Sequence, residues 1–222
     1  MQTKIWNTFY GRCKKQSQGG LRHGLSKSEH LKFKRTISNK LIFIVPLITA
    51  IFAWIMGGYM GYQYMTLYWW YAFLLPGAIA ILCSLSHRKE ENAGKYYSVF
   101  SMPVNLSRFE FAKGIILVEK LLVSAIFLAL LISISNIIAP ATAVYSLLHS
   151  ITGSIGIILA SVWQIPLCLY LARKTGMFVP IVLNTILGIV LSTATALGNT
   201  VAWWFVPYCW AAKLAEHLWE LK

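Results

Sequence analysis

The chain has 222 residues, of which 57% are hydrophobic and only 12% are charged, and its mean hydropathy is +0.61. Soluble globular domains are about 25% charged, so this composition excludes an ordinary soluble domain and favours a protein embedded in a bilayer. The net charge of +13 would suit a nucleic-acid-binding protein, but the distribution of that charge along the chain points to a different partner.

Five long apolar runs follow one another along the chain. They cover residues 41–60, 65–85, 114–139, 147–172 and 177–197. Each run approaches or exceeds the roughly 20 residues that a helix needs to cross the hydrocarbon core, and none has a charge in its central part. The sequence therefore predicts an all-α integral membrane protein, a polytopic helix bundle with five visible spans.

The basic residues are concentrated in a few connections. Ten of the 20 Lys and Arg residues precede Leu41, six lie between Arg88 and Lys120, and Arg173 and Lys174 separate the last two runs. If the N-terminus is cytoplasmic, 18 of the 20 lie on the cytoplasmic side or at its interface. This is the positive-inside pattern, so we expect a multi-pass protein with a cytoplasmic N-terminus, membrane lipid as a partner and no nucleic acid.

The first 40 residues have two parts. Residues 1–25 are basic and lack periodicity, so we expect a disordered tail or a segment outside the true start of the protein. Within residues 26–40, apolar residues recur every four positions and basic residues lie between them. This pattern predicts an amphipathic helix lying in the membrane interface. The residues expected to define that helix are Phe33, Lys34, Arg35 and Ile37. The alternative is that 26–40 are only the basic flank of the first span.

One polar connection, residues 87–113, is much longer than the others. Tyr96 and Phe100 are four residues apart, with Tyr97 beside them, so a helix here would have an aromatic face. Pro103 would end that helix, because the residue before a proline is driven away from the α conformation. An aromatic face exposed to water indicates a docking partner, and a solvated connector is the alternative.

Residues 199–221 form a separate segment after the fifth run. Its apolar part is too short to span a membrane, contains Pro207 and is rich in Trp and Tyr. These aromatic residues are typical of the headgroup region. Because an odd number of spans precedes it, we expect a re-entrant or interfacial segment on the outer face.

Polar residues inside the runs are few. Gln164 and Asn184 either line a translocation path or form hydrogen bonds between helices, and Pro166 should bend the fourth span. The sequence has no P-loop, no HExxH and no GxSxG motif, and it contains no Asp. We therefore predict no catalytic, cofactor-binding or metal-binding residues, and a protein that is not an enzyme.

The stretch SEHLKFKRT before the first run and the loop ENAGKYYSVFSMPVNLSRFEFAKGI together resemble the permease subunits of ABC-2-type exporters. The resemblance is closest to the lantibiotic (bacteriocin) immunity transporter permeases of Gram-positive bacteria. It covers residues 26–221, and its most specific positions are Glu91, Gly94, Pro103, Ser107, Arg108 and Lys113.

This resemblance implies that residues 90–102 form a coupling helix seated in a groove of a separate ATP-binding subunit. The docking residues expected on this basis are Glu90, Glu91, Gly94, Tyr96, Tyr97, Phe100, Pro103 and Arg108. ATP and Mg²⁺ would bind the partner subunit, and a second permease subunit, homologous or identical, would complete the assembly.

The resemblance further implies export of an amphiphilic peptide such as a lantibiotic out of a bacterial cell membrane for self-protection. Such permeases have six spans, whereas five runs precede Lys222, so either the chain is truncated or the gene is degenerate or differently divided. The alternative function is a non-transporting membrane anchor or sensory partner that uses the same cytoplasmic loop.

Overall fold

The computed structural model describes residues 37–92, 106–138, 140, 144–196 and 205–220, and the regular structure within these ranges is entirely helical. The prediction of an all-α fold is therefore confirmed for this part of the chain. The elements are α1 (Ile37–Trp69), a π-helical segment (Trp70–Leu74), α2 (Leu75–Asn92), α3 (Leu106–Ile138), α4 (Leu147–Ser161), α5 (Gln164–Thr175), α6 (Phe178–Ala196) and α7 (Pro207–Glu220).

Three helical stretches in the described residues are long and apolar enough to cross a membrane. They are Asn39–Glu91, Glu110–Ile138 and Phe178–Thr195. The pair α4 and α5 makes a fourth candidate if the two helices, which meet at a bend of 45°, are counted as one span. The described part of the chain is thus a helical membrane protein.

The longest of these stretches folds back on itself at Gly58. The backbone there has φ 55° and ψ −151°, a conformation that only glycine adopts without strain. The rings of Phe52 and Trp69 lie 5.1 Å apart, whereas 17 residues of straight helix would separate them by about 25 Å. The first two predicted spans therefore lie on the two arms of a helical hairpin, and the reversal falls within the range predicted for the first span.

The direction of each arm follows from its hydrogen bonds to α3. Before the reversal, Asn39 accepts a hydrogen bond from Lys120, and the carbonyl of Ile42 accepts one from Ser124. These pairs advance together along both helices, so the first arm runs parallel to α3.

After the reversal the order is inverted, because Gln63 contacts Ser135 and the later residue Glu90 pairs with Lys113. The second arm, which includes α2, thus runs antiparallel to α3. We call the end of the bundle that contains Glu90 and Lys113 the charged end, and the end that contains Gly58 the opposite end.

The bend between α4 and α5 has a covalent cause. Pro166 has no N–H to donate, and its ring excludes the carbonyl four residues earlier, that of Val162. Val162 lies at the break between the two helices, where its carbonyl instead accepts a hydrogen bond from the backbone N–H of Ile165, at 3.0 Å. The bend directs α5 away from the axis of α4.

The π-helical segment and α6 pack unusually closely. A Cβ added at Gly188 would lie 2.8 Å from the carbonyl oxygen of Ala72 and 2.8 Å from Cγ of Pro76. Any larger residue at 188 would force the two helices apart. Trp70 and Leu75, on the same stretch, are fully buried.

The helix α7 extends through only part of the bundle. Its first turn lies beside the α4–α5 break, since the rings of Tyr208 and Trp163 are 4.7 Å apart. Further along, Leu214 lies against Gly156, which is closer to the start of α4 than Trp163 is. Because α4 begins at the opposite end, α7 starts deep inside the bundle and runs outward to that end.

Candidate functional site

The charged end is organised around a buried ion pair. The ammonium group of Lys113 contacts the carboxylate of Glu90, and the two residues are only 2% and 8% exposed. A charge buried without a partner would cost several kcal/mol, so each residue requires the other. The pair joins the last turn of α2 to the first turns of α3.

A second ion pair extends this connection to a third helix. Glu110, on α3, contacts the guanidinium group of Arg173 near the end of α5. The same Glu110 lies 4.0 Å from Lys113. The charges of α2, α3 and α5 therefore form one continuous network at the ends of the three helices.

This network lies at the two ends of the long polar connection that the sequence predicts to dock a partner. The described chain stops at the end of α2 and resumes at α3, so residues 93–105, including Gly94, Tyr96, Tyr97, Phe100 and Pro103, lie outside the described residues. Arg108 lies in the first turn of α3. The two helix ends that bracket the loop are the two that the Glu90–Lys113 pair joins.

The expected docking residues on the N-terminal side of the loop have different environments. The resemblance implied a coupling helix that begins at Glu90, whereas α2 continues without a break through Asn92. Glu90 consequently faces the bundle and is paired with Lys113. Glu91 is exposed, and its carboxylate lies 3.9 Å from the imidazole of His87, so it is the more accessible of the two to a partner.

The predicted interfacial helix lies mostly outside the described residues. Phe33, Lys34 and Arg35 precede them, and Ile37 is the first residue of α1. From Ile37 onward the backbone continues as helix into the first arm of the hairpin.

A compact polar cluster lies in the middle of the bundle, centred on Asn184 of α6. Its side-chain amide donates to the carbonyl of Pro76 at 2.7 Å and to Oε1 of Gln164 at 3.0 Å. Its carbonyl oxygen accepts a hydrogen bond from the hydroxyl of Tyr208 at 2.5 Å. Asn184 and Gln164 are 1% and 2% exposed.

The structure thus brings together the two residues that the sequence proposed for a translocation path, and shows them hydrogen-bonded to each other. Four elements meet at this cluster: α2, α5, α6 and the deep end of α7. Sequence reasoning missed Tyr208, which it assigned to the headgroup region, and it had no signal for the Pro76 carbonyl. The arrangement holds the start of α7 inside the bundle.

A third polar cluster closes the opposite end. Gln63 donates to Ser135 at 2.8 Å and to Asn136 at 2.6 Å, and its Oε1 accepts from the backbone N–H groups of Val144 and Tyr145. Asn136 in turn donates to the carbonyl of Tyr145. Burial raises the pKa of Tyr145 to about 12.

Gln63 was also missed from the sequence, although an amide near the end of an apolar run is a usable signal. Within the described residues, no group of three or more His, Cys, Asp or Glu side chains could hold a metal ion.

In the described part of the molecule, three polar clusters connect the apolar helices. They lie at the charged end, in the middle and at the opposite end of the bundle.

Comparison with known protein families gives a match to most of the chain. Residues 25–191, more than half of the chain, match the model of a family described as ABC-2 family transporter protein. No curated protein and no solved structure matches the chain.

Proposed function

The chain belongs to the ABC-2 family of transporter proteins, and from that premise we propose that it is the membrane-spanning permease subunit of an ABC exporter. ATP hydrolysis takes place on a separate ATP-binding subunit, which docks at the charged end. The chain itself is not an enzyme in this proposal, and ATP and Mg²⁺ bind the partner.

The single observation that carries the proposal is the ion-pair network around the loop. The loop leaves α2 and re-enters α3 beside Glu90 and Lys113, and Glu110 connects the same point to Arg173 on α5. A partner that moves the loop would displace three helices together, because a buried ion pair joins the ends of α2 and α3 and a more exposed pair joins α3 to α5. This is what a permease needs in order to convert a movement of its ATPase into a rearrangement of the bundle.

We propose that the charged end faces the cytoplasm. Arg173 and Lys174, at the end of α5, lie with the ends of α2 and α3 at this end of the bundle. Counting the hairpin as two spans gives five crossings: its two arms, α3, the α4–α5 pair and α6. The helix α7 is then a re-entrant helix in the outer half of the membrane.

The substrate proposed is an amphiphilic peptide such as a lantibiotic, moved out of the membrane of a bacterial cell for self-protection. A second permease subunit, identical or homologous, completes the transporter. Support for the peptide comes from the resemblance of the loop and of the stretch before the first run, and the genes beside this one would identify both partner subunits.

Co-purification with the ATP-binding subunit tests the docking. The double variant Tyr97→Ala plus Phe100→Ala removes two of the three aromatic residues predicted for one face of the loop, and we expect it to reduce the amount of ATPase retained roughly tenfold. The matched control is Tyr59→Ala plus Phe205→Ala, which removes the same two residue types from exposed positions away from the charged end. Equal retention of the ATPase by both double variants would refute docking through the loop.

A further inference from the structure

A large groove opens between α3 and α5 in the half of the bundle near the charged end. Its volume is about 710 Å³, within the roughly 300–1,000 Å³ typical of ligand sites. Its walls are almost entirely apolar and include Phe111, Gly114, Ile115, Pro166 and Tyr170.

Two features of the sequence create this space. The bend caused by Pro166 turns α5 by 45° from α4, so α3, which packs along α4, makes few contacts with α5. On the other wall, a Cβ added at Gly114 would meet no atom within 4 Å. Both walls therefore leave room that no side chain of the described residues fills.

The length of the groove matches one leaflet of a bilayer. Its wall on α3 extends from Glu110 to Val118, which is about 12 Å of helix, and its wall on α5 from Val162 to Arg173 is about 16 Å. The hydrocarbon core is about 30 Å thick, so the groove spans about half of it. The extended acyl chain of a phospholipid in one leaflet is about as long as this groove.

The charges at the mouth indicate the headgroup. Glu110 and Arg173 neutralise each other at the rim. The ammonium group of Lys174 lies over the ring of Tyr170, 5.2 Å from its centroid, and Tyr170 lines the groove. The rim therefore has a net positive charge next to an apolar slot, which complements an anionic lipid.

We propose that this groove binds one anionic phospholipid from the leaflet at the charged end. One acyl chain lies along Phe111, Ile115 and Tyr170, and the phosphate lies beside Lys174. The proposal goes beyond the exporter function and does not depend on it, because it requires only that the bundle is embedded in a bilayer.

Native mass spectrometry of the chain purified from mixed micelles of phosphatidylglycerol and phosphatidylcholine in equal amounts tests the site. We expect one retained phosphatidylglycerol per chain. Gly114→Phe fills the groove without a backbone clash and should lower retention at least fivefold. Ile126→Phe adds the same ring at a half-exposed position of α3 outside the groove and should leave retention unchanged.

The variant Lys174→Gln tests the headgroup contact, and we expect it to lower the preference for phosphatidylglycerol over phosphatidylcholine about fivefold. A photoactivatable phosphatidylglycerol supplies a readout in the unaltered chain: it should label the peptide that contains Tyr170 and Arg173. Equal retention by Gly114→Phe and the unaltered chain would overturn the proposal. So would disulfide-linked dimers of Ile115→Cys, since a second copy of the chain would then occupy the groove.

Discussion

At the residue scale, the buried ion pair between Glu90 and Lys113 should be the most sensitive to substitution. Lys113→Met removes the ammonium group that contacts the buried Glu90 carboxylate, and such losses cost about 3–5 kcal/mol. We expect a large drop in thermal stability in detergent, most of which Glu90→Gln restores in the double variant. Glu119→Gln changes an exposed charge on the same helix and should have little effect. If the single and double variants were equally unstable, the pair would not be the cause.

The hydrogen bond from Tyr208 to Asn184 gives a second residue-scale prediction. Tyr208→Phe removes that bond alone, and buried interhelical bonds of this kind are worth about 0.6–1.7 kcal/mol. The start of α7 should then open more often, so that the adjacent Cys209, which is buried, reacts faster with a membrane-permeant maleimide. Peptide mass spectrometry reads Cys209 separately, with buried Cys83 as the internal reference. Equal acceleration at both cysteines would indicate general loosening instead.

At the element scale, the hairpin depends on the backbone of Gly58. An alanine there would be strained at φ 55°, at a cost of about 1–3 kcal/mol. We therefore expect Gly58→Ala to lower the midpoint of thermal unfolding. The matched control is Gly61→Ala, where the added Cβ would lie 3.9 Å from Met65 in an ordinary contact and helix propensity would improve. The account of the turn fails if the two variants are equally stable.

The helices also show how much of the fold could be predicted from the sequence. The run at 114–139 predicted the core of α3 well, because a continuous apolar stretch between polar ends has one simple solution in a membrane. The break expected between the first two runs, at 61–64, lies three residues after the reversal at Gly58, because both sides of Gly58 are apolar and hydropathy does not distinguish a turn from a helix.

The candidate site was predictable to a similar degree. Polar residues inside apolar runs stand out, so Gln164 and Asn184 were identified, but the bond to Tyr208 depends on how α7 re-enters the bundle. The pairing of Glu90 with Lys113 crosses a loop and was invisible to helical spacing. Long-range contacts of this kind are set by tertiary packing, which periodicity does not encode.

At the scale of the whole molecule, orientation is the first testable property. With the charged end in the cytoplasm, a cysteine at Thr175 lies inside the cell and a cysteine at Pro140 lies outside; both positions are exposed. In intact cells a membrane-impermeant maleimide should label Pro140→Cys, and it should label Thr175→Cys only after permeabilisation. The reverse pattern would invert the bundle and place the loop outside.

The central claim is that a separate ATPase acts on this chain through the loop at the charged end. The most direct measurement is site-specific photo-cross-linking in membranes that contain both subunits, with a photoreactive amino acid at Phe100 and, as a control, at Met60. Met60 is 86% exposed near the reversal at the opposite end. The account predicts a cross-link from Phe100 to the ATPase, with a yield that changes between the ATP-bound and ADP-bound states, and none from Met60. No cross-link from position 100, or equal yields from both positions, would contradict it, and a yield from Phe100 independent of nucleotide would favour an anchor without transport.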